Sequence, residues 1–131
     1  MSAPFVFSIR PEYVARIFDG SKRYEYRTRH PSMRPGDLFL IYETAPVSMI
    51  VAEAWIHQVI CEDPRNVWGH TAHAAGIDRA AFDAYFLGRD YACALDISKT
   101  RWLPDPAPLP SGMAPPQSWA RYKGSWARPG G

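Results

Sequence analysis

The sequence predicts an α+β fold: a small mixed β-barrel of about five or six strands with two or three short helices. Three observations carry that expectation. Short segments of alternating apolar residues are separated by short stretches of helical periodicity, as where Phe5, Phe7 and Ile9 are followed by Tyr13, Val14, Ile17 and Phe18. A run of strand character from Ser48 to Ile60 would expose a long edge in a flat sheet, so the sheet must curl until it is closed or nearly closed. The 131 residues, 47% hydrophobic and 14% aromatic, are enough for one filled core and too few for two, and they contain no internal repeat.

Each element has a local reason. Phe5 to Ile9 reads as the first strand, with Phe5, Phe7 and Ile9 on one side. Pro11 suits the first position of a helix, where its missing N–H costs nothing, and the pairs Tyr13/Ile17 and Val14/Phe18 give that helix an apolar stripe. Gly20 stops it, because a helix C-terminus calls for a residue at positive φ. From Arg23 a strand places Tyr24 and Tyr26 on one face and Arg23, Glu25 and Arg27 on the other. Thr28 to Gly36, with Pro31, Pro35, Arg29, His30 and Arg34, reads as a basic surface loop.

Asp37 to Tyr42 is a strongly apolar strand, Pro46 interrupts, and Ser48 to Ile60 reads as one long strand. Asp63-Pro64 caps and opens a helix that runs to about Ala75 and stops at Gly76; Asp78 caps another, carrying Phe82, Tyr85 and Phe86, that stops at Gly88. Tyr91 to Ile97 alternates as a late strand. From Trp102, the prolines at 104, 106, 108, 110, 115 and 116 argue against a long regular element and predict an extended strap around the barrel. The domain is thus expected over residues 1–119, with the strap beginning at about 102. Residues 120–131 form a basic-aromatic tail containing Arg121, Tyr122, Lys123, Trp126 and Arg128. That tail either stacks bases and neutralises phosphates, or anchors the strap through Trp119 and Tyr122 and ends flexibly.

A formal net charge of +2 and a pI near 8.6 permit a polyanionic partner without requiring one. Cys61 and Cys93 lack C-x-x-C spacing and stand among apolar residues, which predicts buried reduced thiols and a reducing compartment. No leader-like run or 18-residue apolar stretch occurs, so the expected location is cytoplasmic and no membrane contact is expected. His70 and His73 could share a helix face, but no third ligand follows at a suitable spacing; His57 reads as a core or rim histidine. No metal and no cofactor are therefore expected. Nucleophile-elbow, phosphate-loop and dinucleotide motifs are absent.

Chemistry concentrates in Gly20-Ser21-Lys22-Arg23-Tyr24-Glu25-Tyr26-Arg27, where a helix stops, a strand starts and opposite charges collect. On composition alone this is a solvated strand face with a Glu25/Arg27 ion pair. The spacing G-x-K-x-x-E-x-R after Ile9-Arg10-Pro11, together with Pro35-Gly36-Asp37, Leu40-Ile41-Tyr42 and Pro115-Pro116-Gln117-Ser118, resembles the ASCH domain family of the PUA-like superfamily, in its small single-domain bacterial and archaeal form, over roughly residues 5–119. The resemblance implies a PUA-like barrel with a cleft that binds RNA, a nucleotide or a modified nucleoside. Arg10, Lys22, Glu25 and Arg27 would line that cleft and Tyr42 or Trp68 would supply a stacking plane. It also implies an alternative, since some members of the family are ribonucleases and others remove the acetyl group of N4-acetylcytidine. In this chain Lys22 matches the lysine of the amidohydrolases, but Glu25 stands where they carry a threonine, and a carboxylate cannot act as that hydroxyl nucleophile. If the chain is a hydrolase, Lys22 and Glu25 are its catalytic candidates.

Overall fold

Residues 3–29, 32–97 and 99–127 are described by the computed structural model; His30, Pro31 and Arg128, which the sequence assigns to the basic loop and tail, lie outside them. Chain order is β1 (Phe5–Ile9), α1 (Pro11–Phe18), β2 (Tyr24–Arg27), β3 (Leu38–Glu43), β4 (Met49–Trp55), β5 (Gln58–Glu62), α2 (Pro64–Thr71), a 3-10 turn (Ala72–Ala74), α3 (Arg79–Tyr85), β6 (Ala92–Asp96), β7 (Lys99–Ala107) and β8 (Trp119–Arg121). The architecture is α+β. One sheet has the order β7-β4-β3-β1-β8 and the other β2-β6-β5. Within the first, β1 and β3 run parallel and the other neighbours antiparallel.

The two sheets wrap a shared core in a barrel-like arrangement whose ladders do not close into a ring among the described residues. Alternation explains how one strand serves two layers. Phe5, Phe7 and Ile9 of β1 enter the core between the sheets with Phe39, Ile41, Ala52, Ala54, Leu95 and Ile97, and α1 adds Val14 and Ile17. Val6 points the other way and joins Leu40, Tyr42, Ile50, Leu103 and Met113 under the C-terminal segment. A third cluster, around Tyr24, Tyr26, Val67, Phe82 and Phe86, fastens α2 and α3 to the smaller sheet. Each fully buried phenylalanine contributes about 2–3 kcal/mol by leaving water.

Eight strands are described where five or six were expected, because one expected strand is two and because β7 and β8 form in the C-terminal segment. The run from Ser48 to Ile60 is not one strand: Ile56 turns inward, the His57 N–H donates to the Asp96 carbonyl, and the chain passes from the larger sheet to the smaller. His57 is exposed at that corner. The proline-rich segment does form a strand. β7 lies at the edge of its sheet, and Pro104 and Pro106 fall in a bulge between the pairs Trp102↔Ala52 and Ala107↔Ile50, where no ladder bond needs their missing N–H.

The C-terminal segment extends the larger sheet. The boundary placed after residue 119 falls inside β8, which pairs with β1, and beyond it Tyr122 and Trp126 pack over the Val6 cluster. The cysteines are joined: Cys61 of β5 stands directly opposite Cys93 of β6, and the two form a disulfide. Spacing along the chain gave no sign of this, because cross-strand register brings together residues 32 apart. Among the described residues no helix is long and apolar enough to cross a membrane.

Candidate functional site

A cavity of about 290 Å³ opens between α1, β2 and α3, with Arg10, Tyr13, Lys22, Glu25, Arg27 and Tyr85 among the residues around it. It is at the small end for ligand cavities, and suits a single unstacked nucleotide rather than a duplex.

Lys22 is its deepest charge. Gly20, at φ +88°, turns the chain off α1, and Lys22 N–H then donates to the Arg16 carbonyl at 2.9 Å. An isolated bridge to Ala75 ties the lysine to the segment between α2 and α3. Its side chain is directed inward: Lys22 is only 3% exposed, and its Nζ donates to the Ala75 carbonyl at 3.0 Å. The ammonium lies 5.4 Å from the centre of the Tyr13 ring and 5.0 Å from that of Tyr26, both within cation–π range. Among the described residues no carboxylate is within ion-pair distance of it. Burial lowers the Lys22 pKa from its ordinary value; Glu25 opposes the shift, while Arg27 and Arg16 add to it. Gly76 makes this placement possible. It sits at φ +71°, and a Cβ there would collide with Cβ and Cγ of Lys22.

Glu25 and Arg27 form the ion pair that alternation predicts, Arg27 Nη2 to Glu25 Oε2 at 3.1 Å. Arg27 is held further by Nη1 donating to Ser118 Oγ at 2.8 Å and by the Phe7 ring, 4.5 Å from its Cζ. Two stretches far apart in sequence, Gly20–Arg27 and Pro115–Ser118, therefore meet at one side chain. Arg27 Nε is buried without a hydrogen-bond partner among the described residues. Such a donor is costly to leave unmet. Arg10 is exposed at the rim, at the N-cap of α1, where its carbonyl accepts from the N–H groups of Tyr13 and Val14.

The aromatic planes are not the ones the sequence suggests. Tyr42 is 4% exposed and belongs to the cluster beneath the C-terminal segment. Trp68 packs against Phe82, ring centres 4.9 Å apart, with Arg79 over its face. Neither lines the cavity. Tyr13 and Tyr85 do. Tyr13 sits in the stripe of α1 that reads as core, and Tyr85 is 47% exposed at the end of α3. Burial raises the Tyr85 phenol above its ordinary pKa, with Arg27 opposing. Tyr26, bonded to Thr71 Oγ1 at 2.7 Å, is pushed up to about 12 by burial and so stays neutral. The only sequence signal for Tyr13 and Tyr85 is a hydroxyl within an otherwise apolar stripe.

What this arrangement can do is bind an anion and an aromatic plane side by side, with a carboxylate in reach. No group of three or more His, Cys, Asp or Glu residues able to hold a metal ion occurs among the described residues. His70 lies 3.3 Å from Glu62, and His73 packs edge-on against Tyr24.

Comparison with known proteins gives a consistent result. The ASCH domain family profile matches residues 7–101. An "ASCH domain-containing ribonuclease" of Zymomonas mobilis subsp. mobilis is 28% identical over 89 residues, which are 68% of this chain and 60% of that protein. The chain thus matches three fifths of that relative's length. The crystal structure of ASCH from Zymomonas mobilis superposes with a TM-score of 0.84 at 24% identity, covering 92% of this chain and 88% of the other. A tyrosine-to-phenylalanine mutant of the Zymomonas mobilis protein gives the same TM-score at 23% identity, over 92% of this chain and 91% of that one.

Proposed function

Because the chain belongs to the ASCH domain family, we propose that it recognises single-stranded RNA by drawing one unstacked nucleotide into the cleft between α1, β2 and α3. The observation that carries this reading is Lys22: a buried ammonium that faces a cavity and is held by one carbonyl and two ring faces rather than by an acid. A cation kept in that condition is matched to an incoming anion, and Arg27 and Arg10 extend the positive rim. Tyr13 and Tyr85 offer planes for a base, and Glu25 an acceptor for an exocyclic amine.

A second reading is favoured by the same lysine and by the ribonuclease in Zymomonas mobilis. In cleavage, the ribose 2′-oxygen attacks the adjacent phosphorus and the P–O5′ bond breaks. Glu25 takes the 2′-hydroxyl proton, Lys22 gives a proton to the departing 5′-oxygen, and the products are a 2′,3′-cyclic phosphate and a 5′-hydroxyl.

One experiment separates the two. Short single-stranded RNAs are incubated with the protein and its Glu25→Gln variant at two salt concentrations, with binding and product followed together. Recognition predicts intact RNA, an affinity that falls with salt on a log–log slope of roughly −2 for three phosphate-directed cations, and a variant that binds with altered strength. Cleavage predicts cyclic-phosphate products that vanish with Glu25→Gln. Absence of both binding and product would reject the RNA reading.

A further inference from the structure

A second hollow borders the cleft across Ile77. This groove, about 400 Å³, is lined by Arg16, Ser21, Gly76, Ile77 and Asp78, and Ile77 also lines the first cavity. We infer that the groove is a second nucleotide subsite, in which Arg16 receives the phosphate that joins the nucleotide in the cleft to its neighbour. This rests on the nucleotide reading of the cleft and adds to it the length of ligand that is recognised.

Arg16 has the geometry for that role. It lies in the last turn of α1, one turn from the Gly20 bend, and its Nη1 donates to the Gly76 carbonyl at 2.6 Å. That bond fixes the guanidinium at the groove and leaves most of its five donors free for a second partner. The Arg16 Cζ lies 5.6 Å from the Tyr13 ring centre, and Lys22 Nζ lies 5.4 Å from the same ring. One aromatic ring is thus shared by a cation of the cleft and a cation of the groove, and both positive centres lie within 5.6 Å of its centre. No acid is within ion-pair distance of Arg16 among the described residues. The two nearby carboxylates have other tasks: Asp78 Oδ1 accepts from Ala81 N–H as the cap of α3, and Asp19 Oδ1 accepts from Ser21 N–H, each at 2.8 Å. Asp78 still has an oxygen with which to accept from a base amine, while Ser21 offers a hydroxyl. A planar fork, a hydroxyl and a carboxylate match a phosphate joined to a nucleoside better than they match a free anion.

The test is the dependence of affinity on ligand length, measured calorimetrically with one-, two- and three-residue 2′-fluoro oligomers, which resemble RNA in shape and lack the hydroxyl needed for cleavage. Wild type should gain at least tenfold in affinity from one residue to two, and less than threefold from two to three. Arg16→Ala should remove the first gain. Ser21→Trp, which fills the groove and leaves the Arg16 guanidinium in the chain, should remove it as well, with both variants checked by thermal melting. A one-residue ligand that binds with no gain on lengthening, or a gain that survives both substitutions, would overturn the second subsite and leave the cleft reading standing. Failure of all three oligomers to bind would overturn both together.

Discussion

Lys22 and Glu53 are both charged and both almost wholly removed from water, yet their surroundings are opposite in kind. Glu53 lies on β4, on the side of the larger sheet that faces the C-terminal segment. Arg101 Nη1 donates to its Oε1 at 3.1 Å and Trp126 Nε1 to its Oε2 at 2.8 Å. Each oxygen is met and the site is covered. Lys22 has a carbonyl and two aromatic faces, and opens on a cavity. A buried charge met by charged and polar partners is part of the fold; one left partly unmet at a cavity is held ready for something else.

The sharpest way to break this contrast is to delete both charges and compare. Glu53→Ala removes the acceptor of the Trp126 N–H and one partner of the half-buried Arg101 guanidinium, and should lower the unfolding free energy by about 2–4 kcal/mol. Urea titration will show it as a fall in midpoint at constant slope; an unchanged midpoint would remove the structural role given to Glu53. Lys22→Met removes the ammonium, keeps the stem between the two rings, and should leave stability within about 1 kcal/mol of wild type. RNA binding or turnover should nevertheless fall at least ~100-fold. A loss of stability as large as that of Glu53→Ala would place Lys22 among the fold residues.

Gly76→Ala sharpens the comparison without touching a charge. The new methyl group meets the stem of Lys22 and sits at positive φ, so stability should drop by about 1–2 kcal/mol. RNA affinity or turnover should fall further than that drop explains, and a normal response would mean that Lys22 has room to move.

The smallest expected effect is one of pH. Burial depresses the folded-state pKa of Lys22, so between that pKa and the unfolded value the unfolded chain binds more protons and stability rises with pH. The cost of the buried ammonium is fully present below the folded pKa and is relieved as pH climbs toward about 10.4. The stability of wild type relative to Lys22→Met should therefore increase across the mildly alkaline range, a difference in which other titrating groups cancel. A flat difference would show that the ammonium is better solvated than its burial implies.

The parts of this molecule legible in its sequence are those set by neighbours in the chain. Gly20 at positive φ, the Asp63 and Asp78 caps and the alternation of β1 are local facts, and each stands as read. So is the Glu25–Arg27 pair, two residues apart on one strand face. What escaped is set by pairing at a distance. The Cys61–Cys93 bond depends on the register of β5 against β6, and the break at Ile56-His57 on where one sheet hands the chain to the other. Tyr13 and Tyr42 look alike in sequence, yet one borders the cavity and the other is sealed under the C-terminal segment. Layer order decides that, and no window of sequence contains it.

The bulge in β7 reaches beyond the architecture of one molecule. The larger sheet ends in β7 on one side and the three-residue β8 on the other, and a free edge is a template on which a second copy can add its own strand. Pro104 and Pro106 carry no N–H donor and lie where the register of β7 against β4 shifts, so an arriving strand finds no continuous ladder to extend. The prolines that make this segment look structureless in sequence are, on this view, a guard against self-association. A Pro104→Val, Pro106→Val double variant, light-scattering at concentrations where wild type stays clear, would show that guard removed.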